Sequence, residues 1–327
     1  MEEQKLIIKT RASTDPSHGK EPSARNIKEH LRYGVINLDK PRGPTAHEVV
    51  SWVKSILHVK KAGHGGTLDP RVSGVLPVAL EDATKIARVL LGADKEYVCA
   101  MRLHDDYPRK RVERVFSEFV GEIYQRPPVK SAVKRQLRKR IIHYIKLLEM
   151  EERDVLFLVG CEAGTYIRKL CHDIGEVLGS GAHMLELRRT RSGIFDESNI
   201  VTLHDLADAY AFYKEEGIED FLRKAVIPME HALNHVPKVV IRDGAVDAIC
   251  HGADLAIPGI VKLDPDINVG SQVAIFTLKG ELVALGKAMM DTKKILIDDK
   301  GVAIRTKRVI MRPGTYPRKW RKREADE

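Results

Sequence analysis

The sequence predicts an α+β protein of roughly two domains. Three observations carry this. The chain has 327 residues, enough for about two domains. Short runs with period-2 alternation are interleaved with longer runs at helical spacing over residues 34–236. At residue 237 the character changes to closely spaced short strands with one short helix.

Composition sets the bounds. Hydrophobic residues make up 43% and charged residues 31%, a balance suited to a folded globular core without disulfides or metals. No apolar run approaches the ~20 residues needed to cross a bilayer, and residues 1–30 lack a signal-peptide core, so a cytoplasmic protein without a membrane partner is expected. Lys and Arg total 55 against 46 acids, a formal charge of +9, which favours polyanions such as nucleic acid. Cys99, Cys161, Cys171 and Cys250 stand far apart with no C-x-x-C, so they are expected to sit as small apolar residues rather than bind zinc.

In chain order, residues 1–33 carry charges, Pro16, Gly19 and Pro22 with little periodicity, and read as an extension. A strand is expected at 34–38. Lys40-Pro41-Arg42-Gly43-Pro44 then turns the chain into a helix opened by a Thr45/Glu48 capping box, with Val49, Val53, Ile56 and Leu57 at helical spacing. Residues 58–74 form a glycine-rich loop around Asp69, and 75–80 a buried strand. Ala83, Ile86, Ala87 and Leu90 predict a helix ended by Gly92. Tyr97, Cys99, Met101 and Leu103 alternate as one face of a strand at 96–103.

Residues 109–120 are amphipathic. From 130 to 140 there are six basic residues and no acid, a pattern of either a solvated face or a phosphate-gripping loop. A hairpin is expected from 144–150 and 154–162. A helix from about Ile167 to Gly179 places Tyr166 and Arg168 near its N-terminus, where dipole and free amides favour anions. Residues 203–235 read as helices covering the sheet. A short helix at 245–250 and two strands flanking Lys279-Gly280 follow.

Taken by itself, Asp69-Pro70 is fully explained as a turn or cap, and the glycines around it lack the lysine of a phosphate loop. The stretch 62–80, AGHGGTLDPRVSGVLPVAL, together with Lys40-Pro41-Arg42-Gly43-Pro44-Thr45, nevertheless resembles the signature of the TruB/dyskerin family of pseudouridine synthases. Its Gly-His-Gly-Gly form is closer to the archaeal and eukaryotic branch. The likeness extends over Lys95-Glu96-Tyr97, the Pro127-Pro128 to Ser131-Ala132 segment, Gly164-Thr165-Tyr166-Ile167-Arg168 and residues 181–193. Residues 237–312 resemble a PUA RNA-binding β-barrel through His251-Gly252-Ala253-Asp254-Leu255 and Gly286-Lys287-Ala288.

The resemblance implies a mixed, largely antiparallel sheet flanked by helices with a central cleft, followed by the PUA barrel. It implies a catalytic domain at 34–236, the PUA domain at 237–312, an N-terminal extension at 1–33 docking on the PUA side, and a tail at 313–327. It further implies isomerisation of RNA uridine to pseudouridine without cofactor or metal. Asp69 would be the nucleophile, Arg168 its partner, and Tyr97 the aromatic that stacks on the base and is a candidate for proton transfer. Tyr166 and Leu187 would line the uracil pocket. His64 and Lys40 would shape the loop, and Lys130, Lys134 and Arg135 would grip the substrate backbone. Outside the resemblance, Tyr97 reads as a core aromatic, Leu187 as an ordinary strand residue and Arg168 as a surface arginine.

Two departures bear on the substrate. The segment between Leu103 and Pro127 leaves little room for the insertion with which bacterial members hold the tRNA arm, and the long basic tails of eukaryotic members are missing. Both point to an archaeal catalytic subunit of a box H/ACA guide-RNA particle. Its partners would be the guide RNA, rRNA and tRNA substrates, and small glycine-arginine-rich, zinc-ribbon-like and kink-turn-binding L7-type proteins. A stand-alone tRNA pseudouridine-55 synthase and a non-catalytic RNA scaffold are the alternatives; a small-molecule hydrolase would not explain the PUA-like end.

Overall fold

The computed structural model describes residues 6–127 and 136–318. The chain divides into two compact units, one formed by residues 35–226 and the other by the N-terminal segment up to Gly34 with the chain from Ile227 onward.

The N-terminal segment holds β1 (Ile7–Ile8) and α1 (Ile27–Arg32). The helix escapes periodicity because it spans only six residues, but Asn26 caps it by accepting from the Glu29 amide. Then come β2 (Gly34–Lys40), α2 (Ala46–Leu57), β3 (Ala62–His64) and β4 (Ser73–Leu80). The Thr45/Glu48 capping box forms in full, and α2 ends at His58 in the left-handed conformation. The helix expected over 83–92 is split: a 3-10 segment, Glu81–Ile86, precedes α3 (Ala87–Gly92). Glu81 itself sits at φ 42° and its carboxylate accepts from the amides of Lys60 and Lys61, so this corner starts as a tight turn.

Next are β5 (Lys95–Leu103), α4 (Arg109–Glu118), β6 (Gly121–Gln125), β7 (Arg138–Glu151) and β8 (Asp154–Cys161). The hairpin turns at Glu152-Arg153, with Glu152 at φ 49°. The unit closes with α5 (Ile167–Leu178), β9 (Ala182–Ser192), β10 (Phe195–Asp196), α6 (Leu203–Glu216) and α7 (Asp220–Ala225).

Its sheet runs β2-β4-β9-β5-β8-β7-β6, with β3 beside β4 and β10 beside β9. Only β4–β9 is parallel among these pairs. β4 is buried at every position after Ser73, so both of its faces are covered. On β5 the alternation is clean: Tyr97, Cys99, Met101 and Leu103 point inward. Helix α5 lies on this face, its Cys171 sulfur 3.6 Å from that of Cys99. Phe116 of α4 meets Phe157 of β8 with ring centroids 5.1 Å apart.

In the other unit, β11 (Ile227–Pro228), β12 (Lys238–Ile241), α8 (Asp243–Cys250), β13 (Leu255–Ala256), β14 (Ile260–Leu263), β15 (Gln272–Phe276), β16 (Leu282–Ala288), α9 (Thr292–Ile297) and β17 (Val302–Val309) follow. Seven strands pair in the order β1-β14-β12-β15-β16-β17-β13 around an aliphatic core that includes Val239, Ile249, Leu263, Ile275 and Val283. Residues 7–25 are bound into this unit. Ile7 pairs with Leu263, Lys279 donates to the carbonyl of Asp15 at 2.8 Å, and the buried Arg25 forms a two-point ion pair with Glu230. All four cysteines are free and buried.

Candidate active site

Asp69 projects from the loop joining β3 to β4, and two buried cations hold that loop by its backbone. Lys40 ends β2 and is fully buried. Its ammonium donates to the carbonyls of Pro41 at 2.8 Å, Pro70 at 3.2 Å and Val72 at 2.8 Å, using all three protons. Burial pulls its pKa down, and the nearby Asp69 charge pulls it up. On the opposite side, Arg189 of β9 donates from Nε to the Val75 carbonyl at 2.7 Å and from Nη2 to the Gly66 carbonyl at 3.2 Å.

The loop threads this space because glycines replace side chains where strands approach. Gly74 lies at φ 102°, and a Cβ there would stand 2.2 Å from the Arg189 carbonyl oxygen. A Cβ on Gly65 would stand 2.7 Å from the Leu90 Cβ. Further bonds close the loop, from Gly65 N to Pro77 O at 2.7 Å and from Gly43 N to Pro70 O at 2.8 Å.

Arg168 meets Asp69 from α5. Its Nη2 donates to Oδ2 at 2.5 Å, and both side chains are more than half exposed, at 58% and 54%. The approach is set by the start of α5, where Tyr166 occupies the cap position without a side-chain cap. Gln125, at the end of β6, supplies what is missing: its Oε1 accepts from Tyr166 N at 2.9 Å and its Nε2 donates to Tyr166 O at 3.2 Å. Ile167, Leu170, Cys171 and Ile174 then bury one side of the helix, so Arg168 faces solvent rather than the core.

Tyr97 is 9% exposed and lies across from Arg189 in the β5–β9 register. Burial pushes its phenol pKa up, and Arg189 opposes that shift. Leu187, half-buried, pairs with Cys99 two positions along the same two strands. His64 on β3 packs edge-on to His47 at 5.0 Å, and its Nδ1 accepts from the Gly66 amide at 3.4 Å. Burial, and then His47, pull its pKa down, which favours the neutral ring. Lys130, Lys134 and Arg135 lie outside the described residues. Among the described residues, no group of three or more His, Cys, Asp or Glu is placed to hold a metal ion.

Sequence reasoning missed Gln125, Lys95 and Arg189. Lys95 caps the end of α3 by donating to the carbonyls of Leu90 at 3.1 Å, Leu91 at 3.0 Å and Ala93 at 2.5 Å, and burial pulls its pKa to about 8. For Arg189 a signal existed: it takes an inward position two residues after Leu187 on an alternating strand, where apolar side chains are expected.

The structure thus brings Asp69 and Arg168 together on a loop held by the buried Lys40 and Arg189, in a chain whose net charge of +9 suits a polyanionic partner.

The comparisons with known proteins give the family. The model of the TruB family pseudouridylate synthase N-terminal domain matches residues 54–109 and 104–167, and that of the tRNA pseudouridylate synthase B C-terminal domain residues 168–234. The PUA domain matches residues 237–310 and the DKCLD domain residues 1–50. The probable tRNA pseudouridine synthase B of Methanopyrus kandleri is 61% identical over 97% of this chain and 94% of its own. That of Pyrococcus furiosus is 59% identical over 98% and 94%. A solved Cbf5-Nop10-Gar1 complex contains a chain 59% identical with TM-score 0.92 over 96% of each chain. An H/ACA RNP bound to a substrate RNA containing 2'-deoxyuridine contains one 56% identical with TM-score 0.91 over 97% of each. The chain belongs to the TruB family of pseudouridine synthases.

Proposed function

We propose that this protein converts uridine to pseudouridine in RNA as the catalytic subunit of a box H/ACA guide-RNA particle. The observation that carries the reading is the Asp69–Arg168 pair, held in a chain that matches, over nearly its full length, proteins solved in H/ACA assemblies. A target uridine leaves its stack and enters the cleft. Tyr97 stacks on the base and Leu187 closes the apolar side, with Tyr166 alongside. Asp69, ionised and aimed by Arg168, attacks; the uracil detaches, turns and rejoins through C5. The proton lost from C5 is balanced by the one gained at N1. Lys40 and His64 keep the loop in shape, and Lys130, Lys134 and Arg135 contact substrate phosphates.

Residues 237–312 anchor the guide RNA, with residues 1–33 as part of that unit, and residues 34–236 carry the chemistry. The partners are the guide RNA, rRNA and tRNA, and proteins of the Nop10 and Gar1 type together with a kink-turn-binding L7-type protein. The reaction takes place in the cytoplasm; among the described residues no helix is long and apolar enough to cross a membrane.

Tritium release from RNA carrying 5-tritiated uridine tests this directly. Turnover of an rRNA fragment only with its guide RNA and partner proteins is expected. Release from tRNA with the protein alone supports the second reading, a stand-alone tRNA synthase, which the curated relatives' names favour. No release under either condition overturns both and leaves an RNA-binding scaffold.

A further inference from the structure

The unit formed by the N-terminal segment and the chain from Ile227 onward carries a groove with no part in the reaction above. Its volume is about 530 Å³, in the range of ligand clefts, and every residue lining it belongs to that one unit. Its floor is the face of the sheet turned away from the aliphatic core. The core takes Val239, Ile241, Leu263 and Ile275, so alternation turns Lys238, Val240, Lys262 and Phe276 to the other face. Register sets three of these side by side: Lys262 of β14, Val240 of β12 and Phe276 of β15 are direct neighbours across adjacent strands. Lys238 stands two residues before Val240 on the same strand and face. Leu6 and Leu278, both half-buried, extend the aliphatic lining.

The charge at this floor is unbalanced. Lys238, Lys262 and Lys279 line the groove, against the carboxylates of Glu21 and Glu230. Glu230 is already met by Arg25 in a two-point ion pair and by the Leu282 amide at 3.1 Å. Lys279 is committed to backbone carbonyls, among them those of Asp15 at 2.8 Å and Pro16 at 3.4 Å. Lys238 donates to the neutral Asn234 side chain at 3.0 Å, and among the described residues no carboxylate pairs with Lys238 or Lys262. Two ammonium groups thus flank Val240, one along its strand and one across from it. The complement of this pattern is an aliphatic side chain between two carboxylates.

RNA is the other polyanion to consider, and this floor is ill suited to it. A single-stranded base is gripped by an open aromatic face. Phe276 is only 5% exposed, and the Lys238 ammonium lies over its ring, 5.7 Å from the centroid. What stands open beside the lysines is aliphatic.

We infer that this groove docks an acidic segment of another protein, one aliphatic side chain resting on Val240 and a carboxylate on each side meeting Lys238 and Lys262. The docking stands on this unit alone and does not depend on the chemistry of Asp69.

The experiment uses the full chain and a synthetic set of labelled octapeptides, each with Leu, Ile, Val or Met between pairs of Asp or Glu. Control peptides replace the acids by Lys, or the aliphatic residue by Gly. Octauridine is the RNA probe, and affinities are read by fluorescence anisotropy. Wild type is expected to bind the best acidic peptides at least about tenfold more tightly than their Lys or Gly counterparts. Lys238→Glu/Lys262→Glu should lose that binding and prefer the Lys peptides instead. Such a reversal separates the groove from general attraction to a chain of charge +9, which would survive the change. Val240→Asp should abolish the advantage of an aliphatic residue over Gly.

Equal binding of the acidic and Gly-substituted peptides, or a charge preference that the double variant leaves unmoved, overturns the inference. So does octauridine that displaces the peptides and itself requires Lys238 and Lys262, which would make the groove an RNA surface. Should the double variant not fold, Lys238→Ala and Lys262→Ala decide: each should weaken the acidic peptides at least about threefold, and unchanged affinity in both overturns the docking.

Discussion

Arg168 and Asp69 stand 99 residues apart in sequence and 2.5 Å apart in space, yet neither is buried. Their exposure separates function from stability. An ion pair this open to solvent contributes about 0–1 kcal/mol to folding. In the mechanism proposed above its value lies in aiming the carboxylate, which the glycine-rich loop alone would leave free to rotate. Arg168→Met should therefore leave the melting temperature within a few degrees of wild type. Turnover should drop by about two orders of magnitude or more. Thermal unfolding and single-turnover tritium release, run on the same preparation, check this; an unimpaired rate removes the pairing from the mechanism.

Asp69→Asn keeps the shape of the side chain and abolishes its charge. Pseudouridine formation should become undetectable while RNA binding stays within about threefold, since the carboxylate adds nothing to phosphate recognition. Binding by filter retention and product by nearest-neighbour analysis give the two readings.

Gly74→Ala tests the close approach of β4 to β9. The substitution places a Cβ 2.2 Å from a backbone oxygen at φ 102°, and the backbone cannot yield without moving Arg189. A loss of at least about 2 kcal/mol in unfolding free energy is expected. Activity should fall with it even at temperatures where the fold survives. Gly92→Ala, where no atom lies within 4 Å, is the matched control and should change little.

Lys95 links the site to pH. Its folded pKa is depressed to about 8 from 10.5, so between those values the unfolded chain holds more protons than the folded one. Stability from this group therefore rises with pH across that window, by up to about 3 kcal/mol, and is at its lowest below pH 8. Urea unfolding at pH 8 and pH 10 should show that rise in wild type relative to Lys95→Met. Parallel pH dependences in the two proteins would show that Lys95 is not the source.

The elements were legible wherever the local signal was long. The Thr45/Glu48 box, the alternation of Tyr97 to Leu103 and the helical spacing of Ile167 to Leu178 each appear where expected. Short elements were not: α1 spans six residues, and Glu81–Ile86 took a 3-10 path because Glu81 caps a tight corner instead of opening an α-helix. A signal of one or two turns is too brief to rise above composition.

For the site, the sequence by itself, through its family likeness, determined which residues to look at: the loop around Asp69 and the Gly-Thr-Tyr-Ile-Arg segment singled out a carboxylate and an arginine, and the structure pairs them. Only the tertiary structure decided what holds them. Lys40, Arg189 and Gln125 act through contacts 30, 114 and 41 residues distant in sequence. Lys40 ends β2, Gln125 ends β6 and Arg189 lies within β9, and a strand pattern records which face a residue takes, not its partner there. That partner is set by strand order and register, here the parallel meeting of β4 with β9 and the placing of Tyr97 opposite Arg189, and these emerge only when the whole sheet is assembled.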